Sequence, residues 1–148
     1  MNDGNRRAEI ADGPAKTLQI ILMEDSPSDA RLFQEAIKRW RVPVQTTVAD
    51  DGYKGIELLK HWNGPVPDLV LINIILPKIG GFDVLRWIRT QPKLEGVQAI
   101  VMSSSALHQD LANALANGAT YMRKGNNFDE CCDRVDDMQR KFLARSGR

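Results

Sequence analysis

The order of apolar segments along the chain constrains its fold more than any other feature. Five short, largely apolar runs alternate with five segments whose apolar residues recur at helical spacing. Strands separated in this way by helices pair in parallel, and a parallel sheet needs helices on both of its faces. The sequence therefore predicts a doubly wound α/β domain with strands at residues 18–23, 44–48, 69–74, 99–102 and 120–123.

Apolar stripes and helix-ending residues mark the five predicted helices. Ser26 and Pro27 suit the N-cap and the first turn of the first helix. The third helix must stop before Pro92, and the pair Asn117-Gly118 ends the fourth. The apolar residues at helical spacing that mark these helices are Ala30, Phe33, Ile37 and Trp40; Ile56, Leu59 and Trp62; Phe82, Leu85 and Ile88; Leu111, Ala114 and Leu115; and Phe128, Cys132, Val135, Met138 and Phe142.

Length and composition limit the number of domains and the classes of partner. The 148 residues fit a single domain, which we expect over 17–144, between a disordered tail at 1–16 and a short tail at 145–148. A formal net charge of +1 gives no global reason to expect nucleic acid or a membrane surface as a partner. The polar amino terminus has no apolar signal core and no run could span a bilayer, so we expect a cytoplasmic protein.

The thiols and imidazoles do not form a metal-binding pattern. Cys131 and Cys132 are adjacent, and His61 and His108 are isolated. Zinc sites need more ligands at closer spacing. We therefore expect two reduced cysteines, one of them near the core, because neighbours on a helix point about 100° apart.

Polar residues follow two of the predicted strands, at the sheet edge where open α/β folds place their chemistry. Asn73 ends the third strand. A carboxylate there could attack a phosphoryl donor, whereas a carboxamide is uncharged and is a poor nucleophile. Glu24 and Asp25 follow the first strand and suit a hard divalent cation such as Mg²⁺; alternatively, Asp25 caps a helix and Glu24 is solvated. Their loop has no glycine, which excludes a P-loop or a dinucleotide fingerprint.

Five segments of the chain together form a recognisable pattern. They are Ile21-Leu-Met-Glu-Asp25, Pro67-Asp-Leu-Val-Leu-Ile-Asn73, Leu76-Pro-Lys-Ile-Gly-Gly81, Ile100-Val-Met-Ser103 and Gly118-Ala-Thr-Tyr-Met-Arg-Lys124. In their residues, order and separations, from about Thr17 to Leu143, the chain resembles response-regulator receiver domains. The resemblance is strongest to small stand-alone receivers, and it implies a flavodoxin-like (βα)5 fold with strand order 2-1-3-4-5.

The resemblance implies a metal site and a phosphoacceptor position. Glu24 and Asp25 match the acidic pair that holds Mg²⁺ in receivers, and the backbone carbonyl of Ile75 would be the third protein ligand. The phosphoacceptor position falls on Asn73. An aspartate at position 73 would add a third negative charge to those of Glu24 and Asp25, and Asn73 lacks that charge. Because Mg²⁺ affinity follows the charge of the ligands, we expect that no cofactor is required and that Mg²⁺ binds weakly if it binds.

The resemblance also implies a switch. Ser103 matches the hydroxyl residue that senses the phosphoryl oxygen, Tyr121 matches the aromatic rotamer switch, and Lys124 matches the lysine that pairs with the phosphoryl group. Taken singly, Ser103 is equally explained as a strand-end hydroxyl and Tyr121 as an edge-strand aromatic. The functional interpretation depends on their joint placement.

Three positions depart from the family pattern. Asn73 replaces the acceptor, Gly80 stands where an acid is common, and Gly125 replaces the proline that follows the lysine. Receivers place a cis bond at that Lys-Pro step, but without proline a cis bond costs about 2.5–4 kcal/mol. We therefore expect a trans Lys124–Gly125 bond or a rearranged loop. All three departures affect the phosphorylation apparatus and none affects the core.

These departures predict an atypical receiver, or pseudo-receiver, of a two-component-type system. It would act as a phosphorylation-independent interaction module and not as an enzyme. The expected partners are a histidine kinase, another regulator or a second copy. The contact face would be the fourth helix, the fifth strand and the fifth helix, with Leu107, His108, Leu111, Tyr121 and a basic helix end.

The sequence is compatible with two other functions. A conventional phosphoacceptor regulator would require Asn73 to be an engineered replacement of aspartate, although an engineered lock would not need Gly80 and Gly125 as well. An enzyme on a flavodoxin-like scaffold is a weaker alternative, because the chain has neither a cofactor loop nor a base placed beside a nucleophile.

Overall fold

A computed structural model describes residues 16–94, 96–104 and 108–145 of the chain. The predicted alternation of strands and helices is confirmed. None of the helices in this part of the chain is long and apolar enough to cross a membrane. The elements are β1 (Leu18–Met23), α1 (Pro27–Ile37), β2 (Val44–Ala49), α2 (Gly52–Lys60), β3 (Leu69–Asn73), α3 (Gly81–Thr90), a 3₁₀ turn (Pro92–Leu94), β4 (Gln98–Ser103), α4 (His108–Ala116), β5 (Thr120–Arg123) and α5 (Phe128–Arg145).

The five strands form one parallel sheet in the order β2-β1-β3-β4-β5. This is the flavodoxin-like order, so the expected fold class is confirmed. β1 and β3 are neighbours at the centre, where Met23 pairs with Ile72. The residues that follow these two strands therefore leave the sheet side by side. β5 lies at the edge, as its weak apolar character predicted.

Two apolar clusters cover the two faces of the sheet. Side chains alternate along β1, so Ile20 and Leu22 pack towards α1 and α5, whereas Ile21 and Met23 pack towards α2 and α3. All four are fully buried. The central strands are thus apolar on both faces, as a doubly covered parallel sheet requires.

The expectation that only one cysteine lies near the core is wrong. Cys131 and Cys132 are both buried, 3% and 4% exposed, in the cluster between α1 and α5. Cys131 also lies beneath the loop that contains Gly125, so the start of α5 is covered from two directions. Burial raises the pKa of the Cys131 thiol to about 11, which keeps it protonated at neutral pH.

The apolar residues that mark α4 are only partly buried. Ala114 is buried, but Leu111 and Leu115 are 43% and 65% exposed. α4 packs beside the four-residue β5 at the edge of the sheet, where there is little sheet surface to cover. Phe128, the first residue of α5, is 41% exposed. The other described stripes contribute to the core.

The predicted amino-terminal tail lies outside the described residues except for Lys16, as do Leu107 and the last three residues. The division of the chain at 17–144 therefore stays a prediction. β3 ends at Asn73, one residue earlier than expected, because the chain turns there into the loop that leads to α3.

Gly81 allows that loop to fold tightly against β3. Its amide donates a hydrogen bond to the Ile74 carbonyl at 2.8 Å. A Cβ atom at this position would overlap the Asn73 carbonyl oxygen and would lie 2.8 Å from the Ile74 Cα. The first turn of α3 therefore touches the backbone that positions the Asn73 side chain.

We expect Gly81→Ala to lower the free energy of unfolding by about 1–3 kcal/mol, because an added methyl must push two backbone segments apart. Urea denaturation followed by circular dichroism measures this loss. Gly96→Ala is the matched control, since a Cβ there meets no atom within 4 Å, and it should be neutral or slightly stabilising. Equal stability of the two variants would contradict the tight packing at Gly81.

Candidate functional site

The carboxyl ends of four strands bring the predicted site residues to one edge of the sheet. Glu24 follows β1, Asn73 ends β3, Ser103 ends β4 and Lys124 follows β5. The loops are joined by backbone hydrogen bonds, among them one from the Lys124 amide to the Ser103 carbonyl at 2.8 Å. The sheet therefore places these side chains together by its register, although they are far apart in sequence.

The side-chain amide nitrogen of Asn73 lies at the centre of three oxygen atoms. It donates to the Ile75 carbonyl at 2.9 Å, to Glu24 Oε2 at 3.3 Å and to Asp25 Oδ1 at 3.5 Å. Asn73 is only 8% exposed. The three oxygens that the resemblance assigns to a metal thus surround an N–H donor of this chain.

A buried ion pair lies beside the amide. Lys124 Nζ is 2.5 Å from Glu24 Oε1, and the side chains are 11% and 0% exposed. The same ammonium group is 3.0 Å from Asp29 Oδ2 on α1. The Ser26 amide donates to the second Glu24 oxygen at 3.2 Å. Each Glu24 oxygen therefore faces a positive or donor group.

The pKa values of the pair reflect burial and mutual attraction. Burial raises the pKa of Glu24 above its usual range, and the ammonium of Lys124 offsets only part of that effect. Burial also opposes the charged form of Lys124, but its hydrogen bonds to Glu24 and Asp29 raise its pKa overall. The lysine is thus held as a cation by two carboxylates.

Asp29 is a site residue that the sequence analysis missed. It lies in the first turn of α1, and its amide donates a capping hydrogen bond to the Ser26 hydroxyl at 3.3 Å. The available signal was the acid in the first turn directly after the Glu24-Asp25 loop. Acids are usual at helix starts because of the helix dipole. The dipole alone therefore explained an aspartate at this position, and nothing in the sequence pointed to a contact with Lys124.

The two predicted switch residues lie on neighbouring strands but in different surroundings. Ser103 is 7% exposed at the end of β4, close to the pocket. Tyr121 is half-buried in β5, pairs in register with Val101, and packs against the cluster on the α2–α4 side. Their placement matches the expected positions, and their switching roles stay predictions.

The loop after β3 is held from α2. The Gly52 amide donates to the Pro77 carbonyl at 3.2 Å. Asp51, which is buried, caps α2 through the Lys54 amide at 2.6 Å and lies 3.5 Å from Lys78 Nζ. These contacts fix the path of the backbone that presents the Ile75 carbonyl to Asn73.

Gly125 shapes the loop after Lys124. No cis peptide bond occurs among the described residues, so the Lys124–Gly125 bond is trans, as expected. A Cβ at Gly125 would lie 2.6 Å from the Cys131 amide nitrogen. The side chain of Glu130 accepts from the Asn126 amide at 2.8 Å and closes the same turn. The start of α5 therefore packs onto this loop more closely than a proline would permit.

The residues present do not fit a bound Mg²⁺ ion in this arrangement. Mg²⁺ requires near-octahedral oxygen ligands at about 2.0–2.1 Å. The candidate ligands, Glu24, Asp25 and the Ile75 carbonyl, instead lie at hydrogen-bonding distances around the Asn73 nitrogen. In the described part of the chain, no three His, Cys, Asp or Glu side chains are grouped as a metal site would need.

We expect Lys124→Met to lower the free energy of unfolding by about 3–5 kcal/mol at pH 7, because it leaves a buried carboxylate without its cation. The Glu24 pKa is already raised in the folded state and would rise further. The loss should therefore shrink as the pH falls through that pKa, since Glu24 then takes up a proton in the folded protein.

Denaturation curves at pH 7 and pH 5 measure this effect. Lys54→Met is the matched control, because its ion pair with Asp50 at 2.9 Å is well exposed to solvent; such pairs contribute little. A Lys124 variant as stable as the Lys54 variant at pH 7 would contradict the importance of the buried pair.

Comparisons with known proteins agree with this arrangement of strands. The family model described as a response regulator receiver domain matches residues 20–136. Response regulator Rcp1 of Synechocystis is 29% identical over 84% of this chain and 88% of its own length. The probable methanogenesis regulatory protein FilR2 of Methanothrix harundinacea is 27% identical over 84% and 83%.

Solved structures show the same relationship. A phosphorylated cyanobacterial phytochrome response regulator, RcpA, superimposes with a TM-score of 0.81 at 28% identity, over 88% of this chain and 96% of that one. The Mn²⁺-bound form of Rcp1 gives a TM-score of 0.75 at 27% identity, over 82% and 91%. The family match covers most of the chain and the strand order is that of these structures. The chain therefore belongs to the response regulator receiver domain family.

Proposed function

We propose that this receiver works as a phosphorylation-independent docking module of a two-component signalling system. The observation that supports the proposal is the Asn73 amide, whose nitrogen faces Glu24, Asp25 and the Ile75 carbonyl. A carboxamide in this position is a poor nucleophile, and the lysine that would pair with a phosphoryl group is engaged by Glu24 and Asp29. On this proposal the chain is not an enzyme, and it acts in the cytoplasm without a required cofactor, binding Mg²⁺ at most weakly.

Receiver domains interact with kinases and with other regulators, and two of the relatives named above, Rcp1 and RcpA, are response regulators by description. We infer that this chain also binds a signalling protein, such as a histidine kinase or another regulator, or a second copy of itself. Two of its relatives are phytochrome response regulators by description. A kinase of that kind is a reasonable first partner to test.

Phosphoryl uptake tests the proposal directly. Incubated with acetyl phosphate and Mg²⁺, the chain should show no added phosphoryl group by intact mass. Asn73→Asp restores a carboxylate nucleophile and should gain one phosphoryl group in at least part of the sample. The double variant that combines Asn73→Asp with Lys124→Met is the control that tests dependence on the rest of the site.

Robust labelling of the unmodified chain would overturn the proposal. The conventional alternative, in which Asn73 is an engineered replacement, is favoured by the retained Glu24, Asp25, Ser103, Tyr121 and Lys124. It is distinguished by the coding sequence of the natural gene, where an aspartate codon at this position would establish it.

The docking face that we propose is the surface of α4, β5 and α5. Leu111 and Leu115 lie one helical turn apart on α4 and are 43% and 65% exposed. The basic end of α5 contributes less than its sequence suggests, because Arg140 and Lys141 both pair with Asp137 of the same helix, at 3.2 and 3.0 Å. The apolar side chains of α4 are therefore the better candidates for contact.

If this face mediates self-association, Leu111→Glu together with Leu115→Glu should weaken it at least tenfold, because two charges would enter an apolar contact. Sedimentation velocity over a range of protein concentrations measures the dimer fraction. Val48→Glu, at the opposite edge of the sheet and 38% exposed, is the matched control. A chain that stays monomeric at every concentration would contradict self-association through α4.

A further inference from the structure

We propose that the Asn73 side chain replaces the divalent cation of the acidic pocket. In this view Asn73 does more than remove a nucleophile: its NH₂ group is the internal donor that allows the pocket to form without a metal. The inference concerns the metal and not the phosphoryl group, so it goes beyond the proposed function and can fail separately from it.

The geometry of the donor carries the argument. Three oxygens lie around the nitrogen Asn73 Nδ2: Glu24 Oε2 at 3.3 Å, Asp25 Oδ1 at 3.5 Å and the Ile75 carbonyl oxygen at 2.9 Å. These are distances of N–H···O contacts and not of Mg²⁺–oxygen bonds, which are about 2.0–2.1 Å. An aspartate at position 73 would present only acceptors to these oxygens and would repel them. The amide presents two N–H groups and attracts them.

The charges of the pocket fit the same conclusion. The ammonium of Lys124 contacts Glu24 and Asp29. Asp25 is exposed and reaches the amide instead. Asp29 is thus paired with the lysine, Asp25 with the amide, and Glu24 with both. A metal ion would have to displace the amide, draw the oxygens closer and compete with Lys124 for Glu24.

The backbone reinforces this arrangement. The Ile75 carbonyl is fixed by the tight loop that Gly81 permits, through the hydrogen bond from the Gly81 amide to the Ile74 carbonyl. The Ile75 side chain is 77% exposed, so packing of that side chain does not hold the carbonyl in place. Its contact with Asn73 Nδ2 at 2.9 Å, the shortest of the three, closes the loop onto the pocket.

The test is a Mg²⁺ titration of the full chain and two variants, followed by thermal unfolding and by isothermal calorimetry. We expect the unmodified chain to show no change of Tm on adding millimolar Mg²⁺. Asn73→Asp should bind Mg²⁺ at least tenfold more tightly than the unmodified chain, with a rise in Tm. Asn73→Ala should have a lower Tm without metal, because the acids lose their donor, and Mg²⁺ should restore part of that loss.

Asp50→Asn is the matched control, since it removes an exposed acid outside the pocket and should leave the response to Mg²⁺ unchanged. Equal Mg²⁺ affinity of the unmodified chain and Asn73→Asp would overturn the inference. So would an alanine variant that gains nothing from Mg²⁺ although circular dichroism shows it to be folded. A chain that binds Mg²⁺ tightly but takes up no phosphoryl group would refute this inference and the weak Mg²⁺ binding stated above, and it would leave phosphorylation-independent docking intact.

Discussion

The burial of one carboxylate, Glu24, imposes the strongest requirement on this end of the molecule. A charged group with no exposed side-chain surface must find compensating partners within the fold. Those partners come from separate elements: the ammonium of Lys124 after β5, the amide of Asn73 at the end of β3, and the backbone amide of Ser26 before α1. The ion pair therefore ties the edge strand β5 to the centre of the sheet. The parallel register makes this possible, because it brings every strand's carboxyl end to the same edge.

The fold was predictable because it depends on patterns that repeat along the chain. Alternating apolar runs identified the strands, and residues such as Pro27 and Pro92 identified helix limits from local backbone chemistry. Leu111 and Leu115 show where the pattern fails. Helical spacing reports that a face is apolar, but it does not report how much sheet is available to cover it. At the edge of the sheet there is too little, and both leucines remain exposed.

The sequence predicted which residues lie at the site, but it did not predict which atoms of those residues contact one another. Resemblance placed Glu24, Asn73, Ser103 and Lys124 at one edge, and the strand register brings them there. The direction of the Asn73 amide and the second partner of Lys124 depend on distances across the sheet, which spacing in sequence does not encode. Asp29 is the clearest example of a contact that the sequence did not reveal. The helix dipole already accounts for an acid in the first turn of α1, so its contact with Lys124 could not be inferred.

The departures from the family pattern at positions 73 and 125 both lie next to charged groups of the pocket. With asparagine, the pocket needs no additional positive charge to hold Glu24 and Asp25 near one another. With glycine, the start of α5 packs close to the loop that presents Lys124, within 2.6 Å of where a Cβ would lie, and the lysine meets both Glu24 and Asp29. A carboxylate returned to position 73 would add a negative charge to a pocket whose lysine is already shared between two acids. It would then depend on a metal ion for compensation, whereas the chain as it stands obtains that compensation from its own side chains.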